Sequence, residues 1–251
     1  MSVIGDIGRV AMSDMFYLKR NILILLSTSV ITPLLYLIAF GWGLGDGIEE
    51  TIDGKTFTYI AYMIPGVVSL TTLTSSFSTV ANKLLVQKRF YESFDELMLC
   101  PISKTSIIVG KSLLGMIKGM LCAGIMLVLG YFLTDDLEIN ALLILCMLLS
   151  SFTFAFLAVA AGMLMPDLPY MNLFNSFIIL PMTFLCGTMF PTDKMPGVAK
   201  AIIDYLPLTQ ASSCIRASAL GLEFPWVSAA ILFVWLLIFY VLGRYALKVA
   251  N

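Results

Sequence analysis

The sequence predicts an all-α membrane protein. It has six transmembrane helices, an N-terminal amphipathic interfacial helix, a short cytoplasmic helix after the second span, and outer re-entrant helices before the last span. Three observations predict it. The chain is 59% hydrophobic and only 12% charged, with a mean hydropathy of +0.95, whereas soluble domains are about a quarter charged. Its apolar residues gather into six runs, each close to the roughly 20 residues that cross a bilayer as a helix. The charges lie mostly between the runs, with the basic residues concentrated on one set of connections; the turn Pro166-Asp167-Leu168-Pro169 lacks any Lys or Arg and is placed only by alternation. The net charge of -1 is therefore uninformative.

Residues 1–20 come first and read as an amphipathic helix. Ile4, Ile7, Ala11, Met15 and Leu18 share a face, and Asp6, Arg9, Ser13 and Arg20 oppose them. Such a helix lies along the inner leaflet. Asp14 falls near the apolar edge and weakens the pattern, and a polar lead-in is the alternative. The first span covers 22–44. It is too long, and has the wrong flanks, for a cleaved signal peptide.

The second span covers 58–81 and is polar for its depth. Thr71, Thr72, Ser75, Ser78, Thr79 and Asn82 form one stripe. Hydroxyls in lipid seek helix partners or water. Interhelical packing is one reading, and a translocation-path lining of Thr72, Ser75, Ser78 and Thr79 is the other. Lys83–Lys111 then reads as a basic loop. Within it, 90–100 is a short amphipathic helix stopped by Pro101, with Phe90, Phe94 and Leu97 at helical spacing and Glu92, Asp95 and Glu96 elsewhere around it. An acidic and aromatic helix on that face gives a soluble partner something to grip.

The third span covers 106–133. Gly115-x-x-x-Gly119 with Ala123 is spacing for close helix packing. Lys118 lies inside this span, and snorkelling towards the cytoplasm is the favoured reading. The fourth and fifth spans are 141–165 and 173–189, joined by the turn Pro166-Asp167-Leu168-Pro169. Residues 191–221 hold two short apolar stretches, Ala199–Leu206 and Thr209–Leu220, separated by Pro207. Both are too short to span, so they read as re-entrant. The last span covers 224–247.

The connections orient the chain. One side carries Asp46, Glu49, Glu50, Asp53, Asp135, Asp136, Glu138, Asp193, Asp204 and Glu223 against Lys55, Lys194, Lys200 and Arg216. The other carries Arg9, Lys19, Arg20, Lys83, Lys88, Arg89, Lys104, Lys111, Arg244 and Lys248. Basic connections stay in the cytoplasm, which puts both termini there.

Little in the chain points to chemistry. There is no histidine, which removes the commonest general base and metal ligand. The five cysteines are scattered, without a C-x-x-C pair, and read as small buried hydrophobes. Gly110-Lys111-Ser112 looks like the end of a phosphate-binding loop, but Thr105 stands where the first glycine is needed. No catalytic or metal site is expected. A stand-alone secondary transporter or channel is the alternative function class. It usually needs acidic residues inside the spans, and these spans hold almost none.

The order of elements resembles the membrane subunit of type-two ATP-binding-cassette exporters, which include drug, nodulation-factor and polysaccharide permeases. The likeness covers nearly the whole chain. Ser93-Phe94-Asp95-Glu96-Leu97-Met98-x-x-Pro101 is similar to the family's cytoplasmic coupling helix, with Asp95 where glutamate is usual. Gly187-Thr188-Met189-Phe190-Pro191, Met195-Pro196-Gly197 and Leu206-Pro207-Leu208-Thr209 are similar to its outer segment. The resemblance implies a permease working with a separate nucleotide-binding ATPase, which docks on Phe90, Tyr91, Glu92, Ser93, Phe94, Asp95, Glu96 and Leu97. It also implies a second permease subunit in a homo- or heterodimer, and no nucleic-acid partner. ATP and magnesium would sit on the ATPase, and this chain would hold no cofactor and be no enzyme. A lipid-like, drug-like or glycan-linked substrate would leave across the cytoplasmic membrane.

Overall fold

Hydroxyls and glycines let three long helices approach closely, and the bundle is built around them. The structure is a computed structural model that describes residues 3–42, 49–52, 55–91, 93–134, 136–188, 200 and 203–249. In chain order the helices are α1 (Val3–Arg20), α2 (Ile22–Tyr36), α3 (Tyr59–Arg89), α4 (Ser93–Leu99), α5 (Lys104–Tyr131), α6 (Ala141–Leu164), α7 (Leu168–Phe174), α8 (Leu180–Leu185), α9 (Pro207–Ala219) and α10 (Trp226–Val249). A π-helical turn, Leu37–Trp42, continues α2, and another, Asn175–Ile179, joins α7 to α8. Among the described residues, six helical runs are long and apolar enough to cross a membrane: Ile22–Ala39, Tyr59–Arg89, Lys104–Tyr131, Ala141–Leu164, Leu168–Leu185 and Trp226–Lys248.

The centre is α3, packed between α5 and α6. Every residue from Ala61 to Leu73 is buried. The Gly115 and Gly119 stripe of α5 makes this possible. A Cβ on Gly115 would lie 2.7 Å from Val80 Cγ2 and 3.0 Å from Ala155 Cβ, and one on Gly119 would collide with Ser76 Oγ. Ser76 Oγ in turn donates to the Gly115 carbonyl at 2.9 Å. Removing side chains lets the backbones approach, and the hydroxyl fills the gap with a hydrogen bond.

Two element boundaries differ from the sequence reading for clear reasons. α3 runs to Arg89, past the expected 81, so the stretch read as the start of a loop is helix. Leu84 and Leu85 remain in the core. Lys88 Nζ donates to the Met163 carbonyl at 2.8 Å, and Arg89 Nε donates to Asp167 at 2.6 Å. Tertiary partners therefore extend the helix beyond its apolar run. α7 begins at Leu168 because Pro169 occupies its first turn, where a missing N–H costs nothing. The segment read as the loop 45–57 contains an antiparallel hairpin, Glu49–Ile52 with Lys55–Thr58. Its sequence signal is the intervening Asp53-Gly54 pair.

α9 is enclosed by α3, α6 and α10. At 13 residues it is about 20 Å long, short of the roughly 30 Å hydrocarbon layer. Just before it, the Tyr205 carbonyl accepts from Trp235 Nε1 at 2.8 Å. Trp235 is nine residues into α10, about 14 Å along that helix. α9 ends at Gly221, whose φ of 59° suits glycine, while Glu138 N donates to Ala219 O at 2.8 Å. The helix thus begins deep beside α10 and ends level with the α5–α6 connection. The expected outer helix at Ala199–Leu206, Phe190-Pro191 and Met195-Pro196-Gly197 fall largely outside the described residues, as does Glu92.

One face of the bundle gathers α1, α4 and the end of α10. Ser106 Oγ donates to Val3 O at 3.3 Å, and Thr105 Oγ1 and Tyr240 Oη share a hydrogen bond of 3.1 Å. The first described residues and the second half of α10 therefore lie beside the start of α5. The opposite face carries the hairpin, the α5–α6 connection and Gly221.

Candidate functional site

A cavity of about 1080 Å³ lies between α2, α3, α5 and the Asn175–Ile179 turn. That volume is at the upper end for small-molecule sites. Its walls are irregular helices. Pro33 in α2 cannot donate to the Ser29 carbonyl one turn back, and the π turn places Asn175 and Ile179 on the cavity. Phe77, Leu70, Leu25, Ile179 and Leu180 supply apolar lining, while Thr28, Thr32, Thr74, Ser78, Thr79 and Asn82 supply polar groups.

Lys118 reaches this cavity, which corrects the snorkelling expectation. It is 3% exposed, and its Nζ donates to Thr79 Oγ1 at 2.6 Å. It is 14 residues into α5, about 21 Å from the helix start, too deep for its stem to carry the charge to the surface. A lysine at the centre of a transmembrane helix costs about 2.5–3.5 kcal/mol on insertion scales. The cavity and the Thr79 hydroxyl are what it gains instead.

A second charged group closes the cavity towards the α1 face. Asp14 is 1% exposed, with Lys83 Nζ at 2.8 Å and Lys111 Nζ at 3.2 Å. Lys111 also donates to Gln87 Oε1 at 3.0 Å, and Lys83 sits 4.1 Å above the Tyr17 ring. Asp14 thereby joins α1 to both α3 and α5. Its position at the edge of the apolar stripe, a flaw for a helix lying on lipid, is what a helix docked on protein needs. The buried face is Asp6, Val10, Ala11, Asp14 and Leu18, while Ile4, Met12 and Phe16 point outward.

The four candidate path residues separate. Ser78 and Thr79 line the cavity. Thr72 is buried against α6, sharing a 2.7 Å hydrogen bond with Ser150, and Ser75 is buried against Cys122. A single stripe on a thick helix therefore serves both packing and lining. The hydroxyls from other helices, Thr28 and Thr183, carry no distinguishing pattern. Each bonds a carbonyl of its own helix, at 2.9 and 2.7 Å.

On the α1 face, α4 presents a divided surface. Phe94 is 3% exposed and belongs to the core, with Leu97 and Met98 packed beside it. Phe90, Tyr91 and Leu99 are 65%, 72% and 87% exposed, and Glu96 is exposed as well. The expectation of Phe90, Phe94 and Leu97 facing a partner together is therefore revised. Phe94 and Leu97 root the helix in its own bundle. α4 spans Ser93–Leu99, inside the expected 90–100.

A family model described as ABC-2 type transporter matches residues 12–220, from within α1 to the end of α9. The chain belongs to the ABC-2 type transporter family. Nodulation protein J of Rhizobium meliloti (strain 1021) is 29% identical over 194 residues, which is 75% of this chain and 71% of that protein. The inner membrane transport permease YadH of Escherichia coli (strain K12) is 24% identical over 216 residues, which is 85% of this chain and 83% of that protein. This ABC-2 family member is thus a multi-pass membrane permease of an ABC transporter.

Proposed function

We propose that this chain is the membrane-spanning subunit of an ATP-driven exporter. A separate nucleotide-binding ATPase docks on the α4 face, and a second permease subunit completes the pathway. The observation that carries the reading is α4 itself. Its exposed residues Glu96 and Leu99, with Phe90 and Tyr91 just before the helix, are anchored through Phe94 to the core that contains α3. A push on those residues is delivered to the central helix rather than absorbed in a loose loop. Closure of the ATPase pair on ATP would move α4 as a rigid body and change how the spans pack.

ATP hydrolysis is then the work of the partner, and this chain is not itself an enzyme. The α4 face is cytoplasmic, with both termini, because it carries the basic residues. α9 is a re-entrant helix on the outer side. The substrate is lipid-like, drug-like or glycan-linked, matching a cavity with both apolar and hydroxyl-bearing walls. This replaces the stand-alone secondary transporter or channel. The test is affinity purification of the tagged chain from its native membrane. Capture of an ATPase whose hydrolysis depends on the permease is the expected result. A chain that transports in vesicles without any ATPase would sink the reading.

A further inference from the structure

The cavity holds a charge that nothing in the described chain balances. Among the described residues, Lys118 makes no ion pair. Its one hydrogen bond is to the neutral Thr79 hydroxyl. The carboxylate that also lines the cavity, Asp14, is already held by Lys83 and Lys111. Of the charged residues lining the cavity, two are lysines and one is Asp14, so the lining is net positive. An intramembrane ammonium facing a roomy cavity is a ligand site by its chemistry.

We infer that Lys118 is the recognition site for an anionic headgroup carried on an apolar chain. A phosphate, carboxylate or sulfate ester would accept from its ammonium, in a charge-assisted hydrogen bond strengthened by the low-dielectric surroundings. Thr79 and Ser78 lie along the same wall to complete the headgroup's hydrogen bonds. Leu70, Phe77, Ile179 and Leu180 line the remainder and receive the apolar chain. The inference rests on the permease reading and narrows its substrate to anionic amphiphiles. A headgroup of the surrounding bilayer offers the same chemistry as a transported molecule, and the experiment separates the two.

The test measures equilibrium binding of radiolabelled dodecyl phosphate and dodecanol to the full chain in phosphatidylcholine nanodiscs. Wild-type protein should prefer dodecyl phosphate by about tenfold, the worth of a charge-assisted hydrogen bond. Lys118→Met should lose that preference while still binding dodecanol, which shows that the cavity remains folded. Lys118→Arg should keep it. Equal binding of both probes by wild type, or an undiminished preference in Lys118→Met, would overturn the site. Repeating the measurement in phosphatidylglycerol discs assigns the source. Weaker dodecyl phosphate binding there means that bilayer lipid occupies the site, and unchanged binding means that it is reserved for a transported amphiphile. A wild-type chain that captures its ATPase but shows no anion preference would overturn the inference and leave the permease reading standing.

Discussion

Asp14 is buried between two ammonium groups, Lys83 at 2.8 Å and Lys111 at 3.2 Å, where water screens none of the three well. Removing one partner of a buried pair leaves an uncompensated charge and costs about 3–5 kcal/mol. Asp14→Asn should therefore lower the unfolding midpoint of the purified protein clearly. Arg89→Ala, which breaks the half-exposed bridge to Asp167, should fall within about 0.2–1 kcal/mol of wild type. Equal effects from the two variants would mean that the Asp14 cluster does not hold α1 in place. At this scale the sequence was legible in type and ambiguous in direction. Helical periodicity marks which residues share a face, but not what covers that face. Asp14 is therefore an irregularity on a lipid-facing helix and a necessity on a protein-facing one. Lys118 is the same case: the choice between snorkelling and facing a cavity depends on α2 and the Asn175–Ile179 turn, which its own sequence neighbours do not reveal.

At the scale of the element, α4 has a buried anchor in Phe94 and an exposed side in Glu96 and Leu99, and the docking proposed above would use the latter. Phe94→Ala removes a buried aromatic side chain, a change that costs about 3–5 kcal/mol in a core. Because α4 is short and peripheral, the loss should appear locally. Hydrogen exchange of the 93–99 amides should speed up while α3 and α5 keep their protection. Phe90→Ala and Leu99→Ala alter exposed side chains, so stability should stay within about 0.5 kcal/mol. ATPase capture should weaken by about 1–3 kcal/mol each, as interface anchors do. If Phe94→Ala alone reduced capture and the exposed pair did nothing, the docking edge would be elsewhere. The apolar spacing of this helix was legible, and so were the six long apolar runs. The length of α3 was not, because it depends on bonds made across the bundle by Lys88 to Met163 and by Arg89 to Asp167. Nor did spacing alone reveal that Phe94 points inward, since one amphipathic face suits a partner and a parent domain equally well.

For the whole molecule, the two faces differ in charge, and this difference predicts the membrane orientation. The α4 face carries α1 with Lys19 and Arg20, the end of α3 with Lys88 and Arg89, and the end of α10 with Lys248. The other face carries Glu138 beside Gly221, followed by Glu223. Basic connections are retained inside during insertion, so the α4 face should be cytoplasmic. The cysteines provide a direct reporter. Among the described residues Cys100 is exposed at the end of α4, while Cys122, Cys146, Cys186 and Cys214 are buried. In intact cells an impermeant maleimide should leave the wild-type chain unlabelled, and permeabilised cells should label it at Cys100. A Cys100→Ser, Glu223→Cys variant should reverse the pattern, reacting from outside without permeabilisation. Labelling of Cys100 from outside would invert the molecule and place α4 beyond the reach of any cytoplasmic ATPase, so one measurement tests both the orientation and the docking face. Labelling of both positions from the same side would contradict the odd number of crossings between them, since α5, α6 and α7–α8 carry the chain from the α4 face to the opposite one and the returning α9 adds no crossing.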